Sequence, residues 1–123
     1  KCIWCSDIYG IYVILSKKEF ISSYPLHPFK SEVKLSSGGY LVINPTEALT
    51  SVDINSGRST SEKNIEITAL NTNLEACYEI FKQVQLRNIA GLIVIDFIDM
   101  SISGNNNKVE RKIKELFHKD RAR

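Results

Sequence analysis

The feature that most constrains this chain is the run Ala90-Gly91-Leu92-Ile93-Val94-Ile95, which carries no polar side chain and stops at Asp96. It falls far short of the roughly 20 residues that a membrane-spanning helix needs. Its β-branched residues and turn-like flanks favour a strand. A continuous apolar pattern suits a strand buried on both faces, central in its sheet and often paired in parallel. The sheet is therefore expected to form around this strand, with an aspartate at the strand's carboxyl end.

The rest of the chain supplies neighbours for it. Residues 8–15 are β-branched and aromatic, in the manner of a strand, and Pro25 and Pro28 make 23–30 a loop. Residues 32–35 and 40–43 are strand-like runs joined by the turn Ser36-Ser37-Gly38-Gly39; Asn44-Pro45 ends the second, because proline cannot donate to a ladder. Thr50-Ser51-Val52-Asp53-Ile54-Asn55 alternates, with Val52 and Ile54 on one face and Asp53 and Asn55 on the other. Residues 56–61 form a polar, glycine-containing loop. Thr72-Asn73-Leu74-Glu75 has the pattern of a capping box, opening a helix whose stripe is Leu74, Cys77, Phe81 and Val84 with Ile80 beside it, closed by Arg87 and Asn88. Ser103-Gly104-Asn105-Asn106-Asn107 reads as a turn that offers an N-cap to a last helix, with Val109, Ile113, Leu116 and Phe117 on one face. This order predicts an α/β (α+β) fold: a mixed sheet with a β-hairpin and two helices.

At 123 residues the chain has material for a single core. It opens on Lys1 rather than Met, in keeping with a piece of something longer. A net charge of +2 does not by itself imply a polyanionic partner, yet residues 108–123 hold seven Lys/Arg against three Asp/Glu. Such a surplus suits a phosphate backbone, and equally a solvated helix with cations near its carboxyl end. The odd cysteine count builds no disulfide framework: Cys2 and Cys5 lack a second pair to complete a zinc site, and Cys77 falls on the apolar stripe. With no membrane span and no signal-peptide core, a reducing, cytoplasmic setting is expected.

Three polar residues stand where core building has least use for them. Asp53 and Asn55 leave the strand on the side opposite Val52 and Ile54, and Asp96 follows the strongest strand at the end where ligands gather in α/β sheets. Two carboxylates converging there would repel unless one is protonated or a cation sits between them. A hard divalent ion such as Mg2+ suits an Asp/Asp/Asn oxygen set. The plainer alternative is that Asp96 is a turn residue and Asp53 merely faces solvent. Asp99 is a further oxygen donor or a loop residue. His27 and His118 have no partner at ligand spacing, and Ser37-Gly38-Gly39 lacks what a phosphate loop would need.

Several segments carry a resemblance: Ser37-Gly38-Gly39, Pro45-Thr46-Glu47-Ala48-Leu49-Thr50, Val52-Asp53-Ile54-Asn55-Ser56-Gly57-Arg58, Asn71-Thr72-Asn73-Leu74-Glu75-Ala76, Gly91-Leu92-Ile93-Val94-Ile95-Asp96-Phe97-Ile98-Asp99-Met100 and Asp120-Arg121-Ala122-Arg123. From about Lys30 to Arg123 the chain closely resembles the ribonuclease E/G family, with details most like α-proteobacterial members. The resemblance implies that 30–123 form a DNase I-like catalytic subdomain, a fragment of an enzyme cutting single-stranded RNA in processing and decay, and that 1–29 are a divergent, unassigned segment. It implies that Asp53 and Asp96 bind the catalytic Mg2+, that Asn55 positions the phosphate or a water, and that Arg123 holds the 5′-monophosphate of the RNA. In the full-length family it also implies a homo-oligomer, whose zinc link follows the segment matching 120–123; Cys2 and Cys5 lie at the other end. E-type and G-type branches are not separated by this segment. Two functions follow: an Mg2+-dependent endoribonuclease segment, or an inactive remnant serving as an RNA-binding or subunit-interaction module.

Overall fold

The computed structural model describes residues 7–8, 11–16, 30–57 and 62–119, with side chains over 30–57 and 65–118. Strands β1 (Asp7–Ile8), β2 (Ile11–Ser16), β3 (Glu32–Lys34), β4 (Tyr40–Pro45) and β5 (Thr50–Asn55) precede helix α1 (Glu62–Leu86); β6 (Gly91–Asp96) and α2 (Ser103–Lys119) follow. The strands form one sheet in the order β1-β2-β6-β5-β4-β3. The β5–β6 pair is parallel and the other described pairs are antiparallel. The predicted α+β class, mixed sheet, hairpin and two helices are all present.

Alternation along the strands divides the sheet into two faces. Leu41, Ile43, Val52, Ile54, Ile93 and Ile95 are buried on one. Against them pack Ala76, Cys77, Ile80 and Val84 from α1, and Val109, Ile113, Leu116 and Phe117 from α2. Each fully buried isoleucine or leucine contributes about 1.5–3 kcal/mol, so this layer holds the two helices to the sheet. The Phe81 and Phe117 rings meet edge-on, with centroids 5.4 Å apart. The Cys77 thiol lies inside the layer, where burial pushes it up to about 12.

Burial of β6 on both faces does not hold. Ile93 and Ile95 are sealed, while Leu92 and Val94 on the opposite side are only half-buried. The reason is that both described helices pack on the same face. The strand is interior nonetheless, between β2 and β5.

Helix α1 begins ten residues before the expected cap at Thr72. Nothing in 62–71 breaks a helix, and Ala69, Asn73, Ala76, Ile80 and Val84 are all buried at helical spacing, so one face continues through the supposed start. Thr72 is fully buried with its hydroxyl unpaired, and Glu75 serves a different element. At the other end the expectation stands. Asn88 takes φ 51°, Ile89 N–H donates to Val84 at 3.0 Å and Asn88 N–H to Gln85 at 3.2 Å, a Schellman closure. The asparagine-rich segment 103–107 is the first turn of α2 rather than a separate turn.

Candidate active site

The parallel register of β5 and β6 sets Asp53 directly opposite Asp96. Neighbouring strands lie about 4.8 Å apart and paired residues point to the same side, so the two carboxylates stand side by side. Both are exposed. Asn55, two residues along β5, shares their face, and its amide Nδ2 donates to Asp53 Oδ2 at 3.4 Å. Like charges directly opposite one another on a sheet cost roughly 0.2–1 kcal/mol. Among the described residues no ion pair reaches either aspartate; the pairs Lys112–Glu115 and Lys114–Glu110 run along α2.

Two clamps from α1 fix this arrangement. The first holds the chain that leaves β6. Asn73, fully buried, donates through Nδ2 to the Ile98 carbonyl at 2.9 Å and accepts the Ile98 N–H at 3.0 Å. Two turns earlier in α1, Glu66 accepts the N–H of Ser101 at 3.0 Å, that of Ile102 at 3.1 Å and the Asn105 amide at 3.0 Å. The Ser101 N–H, with the Asn105 and Ile102 donors, holds the Glu66 carboxyl below its ordinary range. Glu66 thereby caps α2 from another helix. Asp99 lies between these anchors as an exposed loop residue.

The second clamp holds the β3–β4 turn against the end of β5. Glu75 accepts the Ser36 N–H at 2.5 Å and the Ser37 N–H at 3.2 Å. Burial pushes its carboxyl up, but the Ser37 side chain, the Ser36 and Ser37 N–H groups and the Ser36 side chain together outweigh it and leave it lowered. A side chain at Gly39 would collide with the Asn55 carbonyl, and one at Gly57 would lie 2.8 Å from the Gly38 carbonyl. Gly38 and Gly57 take φ 94° and 72°, which other residues rarely adopt. The Ser-Gly-Gly turn thus abuts the backbone of Asn55.

Arg123, Arg58, Cys2, Cys5 and His27 lie outside the described residues. His118 is exposed, and of the described basic stretch Lys108, Arg111 and Lys114 lie on the solvent side of α2, where Lys114 pairs with Glu110. No group of three or more His, Cys, Asp or Glu that could hold a metal occurs among the described residues. The sequence reading missed Asn73, Glu66 and the true partner of Glu75. For Asn73 a signal existed, because it falls on the apolar face between Leu70 and Cys77, where a polar side chain needs a buried partner.

A model of the ribonuclease E/G family matches residues 17–123, reaching further toward the amino end than the quoted motifs. Ribonuclease E of Escherichia coli (strain K12) is 55% identical over 95 residues, 77% of this chain and 9% of the relative. Ribonuclease E of Haemophilus influenzae is 56% identical over 95 residues, 77% of this chain and 10% of the relative. Ribonuclease G of Escherichia coli (strain K12) is 45% identical over 92 residues, 75% of this chain and 19% of the relative. The chain therefore spans between 9% and 19% of the length of these relatives. They are γ-proteobacterial, so the expected α-proteobacterial affinity is not supported. On the match across 17–123 and on these identities, the chain belongs to the ribonuclease E/G family.

Proposed function

We propose that this chain forms the catalytic segment of an Mg2+-dependent endoribonuclease acting on single-stranded RNA. Asp53 and Asp96 hold the ion and Asn55 orients the phosphate or a water. The observation that carries this reading is the direct opposition of two exposed aspartates on neighbouring parallel strands. Left alone, that pairing is unfavourable, and a cation relieves it. The donor set fits Mg2+ in particular. This ion is commonly held by one or two carboxylates plus waters and substrate phosphates, whereas structural zinc takes four protein ligands. When bound, Mg2+ supplies charge neutralisation at the phosphodiester and acidifies a water.

The chain's own residues do the positioning. Asp53 and Asp96 set where positive charge is held at the open face. Asn55, through Nδ2, fixes the Asp53 carboxylate and leaves its carbonyl oxygen for a water or a donor on the substrate. The Asn73 clamp keeps Asp96 in register by tying down Ile98, two residues on. Contact of Arg123 with a 5′-monophosphate, homo-oligomer formation and a cytoplasmic setting join the proposal through the family resemblance alone.

The test is cleavage of a 5′-monophosphorylated single-stranded RNA with and without Mg2+, beside Asp53→Asn and Asp96→Asn. The reading requires Mg2+-dependent cleavage that falls by about a hundredfold or more in both variants. The alternative is a module that binds RNA or other subunits without turnover. Identical background in all three proteins would establish that module instead.

A further inference from the structure

The open face of the sheet carries a second row of side chains beside the aspartates. Register pairs Lys34 of β3 with Tyr40 of β4, and Tyr40 with Asn55 of β5. One step along, Glu32 pairs with Val42, Val42 with Asp53, and Asp53 with Asp96. Leu41 and Ile43 point into the core and Val33 packs against it, so Lys34, Tyr40 and Val42, with the exposed Glu32 at the edge, share the face of Asp53 and Asn55. Lys34 is exposed and Tyr40 half-buried. Among the residues whose side chains are described, the other aromatics are occupied elsewhere: Phe81 and Phe117 meet in the core, Phe97 is buried, and Tyr78 takes the Lys112 ammonium at 5.0 Å.

A row of cation, aromatic ring and amide, next to a pair of carboxylates, is graded for a nucleotide chain. Proteins that bind single strands combine positive charge for the backbone with aromatic side chains on which bases stack. Adjacent strands are about 4.8 Å apart, and a diagonal neighbour lies about 7–8 Å away, within reach of an aromatic side chain. Tyr40 stands diagonally to Asp53, so its ring falls near the base beside a phosphate held at the aspartates. Lys34 lies one strand further out, where the next phosphate would pass.

We infer that Tyr40 is a stacking platform for one base of a single-stranded RNA, next to the phosphate at Asp53 and Asp96, with Lys34 meeting the backbone beyond it. The inference rests on the nuclease reading for the identity of the phosphate, but stacking itself needs no metal. It predicts recognition of the base plane, without strong preference among bases.

The test uses the 123-residue chain at low salt with Mg2+, on probes with phosphorothioate linkages that resist cleavage. The probe is a short, dye-labelled single-stranded oligoadenylate, with an abasic oligomer of equal length as comparator, read by fluorescence anisotropy. Tyr40→Ala should raise the dissociation constant for oligoadenylate about tenfold and Tyr40→Phe by less than about twofold. The abasic oligomer should bind the native chain and Tyr40→Ala alike, which a merely structural role for the ring would not produce. No weakening by Tyr40→Ala, or equal weakening for both probes, overturns the inference. Should Tyr40→Ala fail to fold, the native chain with ring-labelled tyrosine decides by NMR. Upfield shifts of the Tyr40 ring protons with oligoadenylate, absent with the abasic oligomer, support stacking; no shift overturns it. Failures are separable: intact Tyr40 effects with cleavage insensitive to Asp53→Asn sink only the metal reading, and the converse sinks only the platform.

Discussion

The two faces of this sheet are made by the same strands, yet they behave as different materials. On one, Val52 and Ile54 of β5 and Ile93 and Ile95 of β6 lock into α1 and α2. On the other, one residue out of phase, stand Asp53, Asn55 and Asp96. A period of two thus lets the sealed face carry stability while the open face keeps an unfavourable pair of carboxylates in fixed register. The sharpest way to break this comparison is to substitute each face and measure stability. Ile95→Ala leaves a cavity beside fully buried neighbours and should cost about 2–5 kcal/mol in denaturant unfolding. If Asp53→Ala, on the same sheet, costs as much, the division between the faces is wrong.

The next effect lies where the two faces are joined. Asn73 is buried in the helix layer but serves the exit of β6 toward the open face, with two hydrogen bonds to Ile98. Asn73→Ala leaves the part-buried backbone donor and acceptor of Ile98 unpaired, at a cost of about 1–3 kcal/mol by denaturant unfolding. It should also loosen Mg2+ binding, because Asp96 stands two residues before Ile98. Asn73→Asp, which can accept but not donate while ionised, should restore only part of the stability. Isothermal titration with Mg2+ checks the second half, and unaltered affinity in Asn73→Ala would separate the clamp from the site.

These joints explain what the sequence made legible. The apolar stripe of α2, the hairpin and the interior strand were readable because burial writes a period into the residues: 109, 113, 116 and 117, or 52 and 54. Asp53, Asn55 and Asp96 were readable as polar residues out of phase with that period. The start of α1 was not, because Thr72 and Glu75 satisfy a local capping pattern while the competing fact is tertiary: Ala69, Asn73, Ala76 and Ile80 already form one buried face. Glu75 accepts hydrogen bonds from a turn 38 and 39 residues away. No local rule records such a partner. Sequence placed the aspartates on their strands; only the β5–β6 register could say they are opposite one another.

Acid should act on the joints before it acts on the sealed face. The Glu66 carboxyl, held below its ordinary value of 4.5 by the Ser101, Asn105 and Ile102 donors, favours the folded state when ionised. A lowered folded pKa means the unfolded chain binds more protons in this range, so the contribution is whole above about 4.5 and fades as pH falls through the folded value. Hydrogen exchange at the amides of Ser101 and Ile102 should accelerate there relative to those of β6. Glu66→Gln should flatten that local pH dependence; an unchanged profile would mean that the cap does not depend on this charge.

The smallest expected effect is the most informative about the open face. With divalent ions removed, Asp96→Asn abolishes the repulsion between residues directly opposite on β5 and β6, and should stabilise the chain by a few tenths to about 1 kcal/mol. Adding Mg2+ should reverse the ranking. A ligand that binds only the folded state stabilises it by RT ln(1 + [L]/Kd), so the native chain should gain melting temperature with Mg2+ while Asp96→Asn gains little. The crossing of the two melting curves with Mg2+ concentration is the signature of a cation held between these carboxylates. Parallel curves would show that the pair is tolerated without one, since a few tenths of a kcal/mol is a cost this helix-backed sheet can carry.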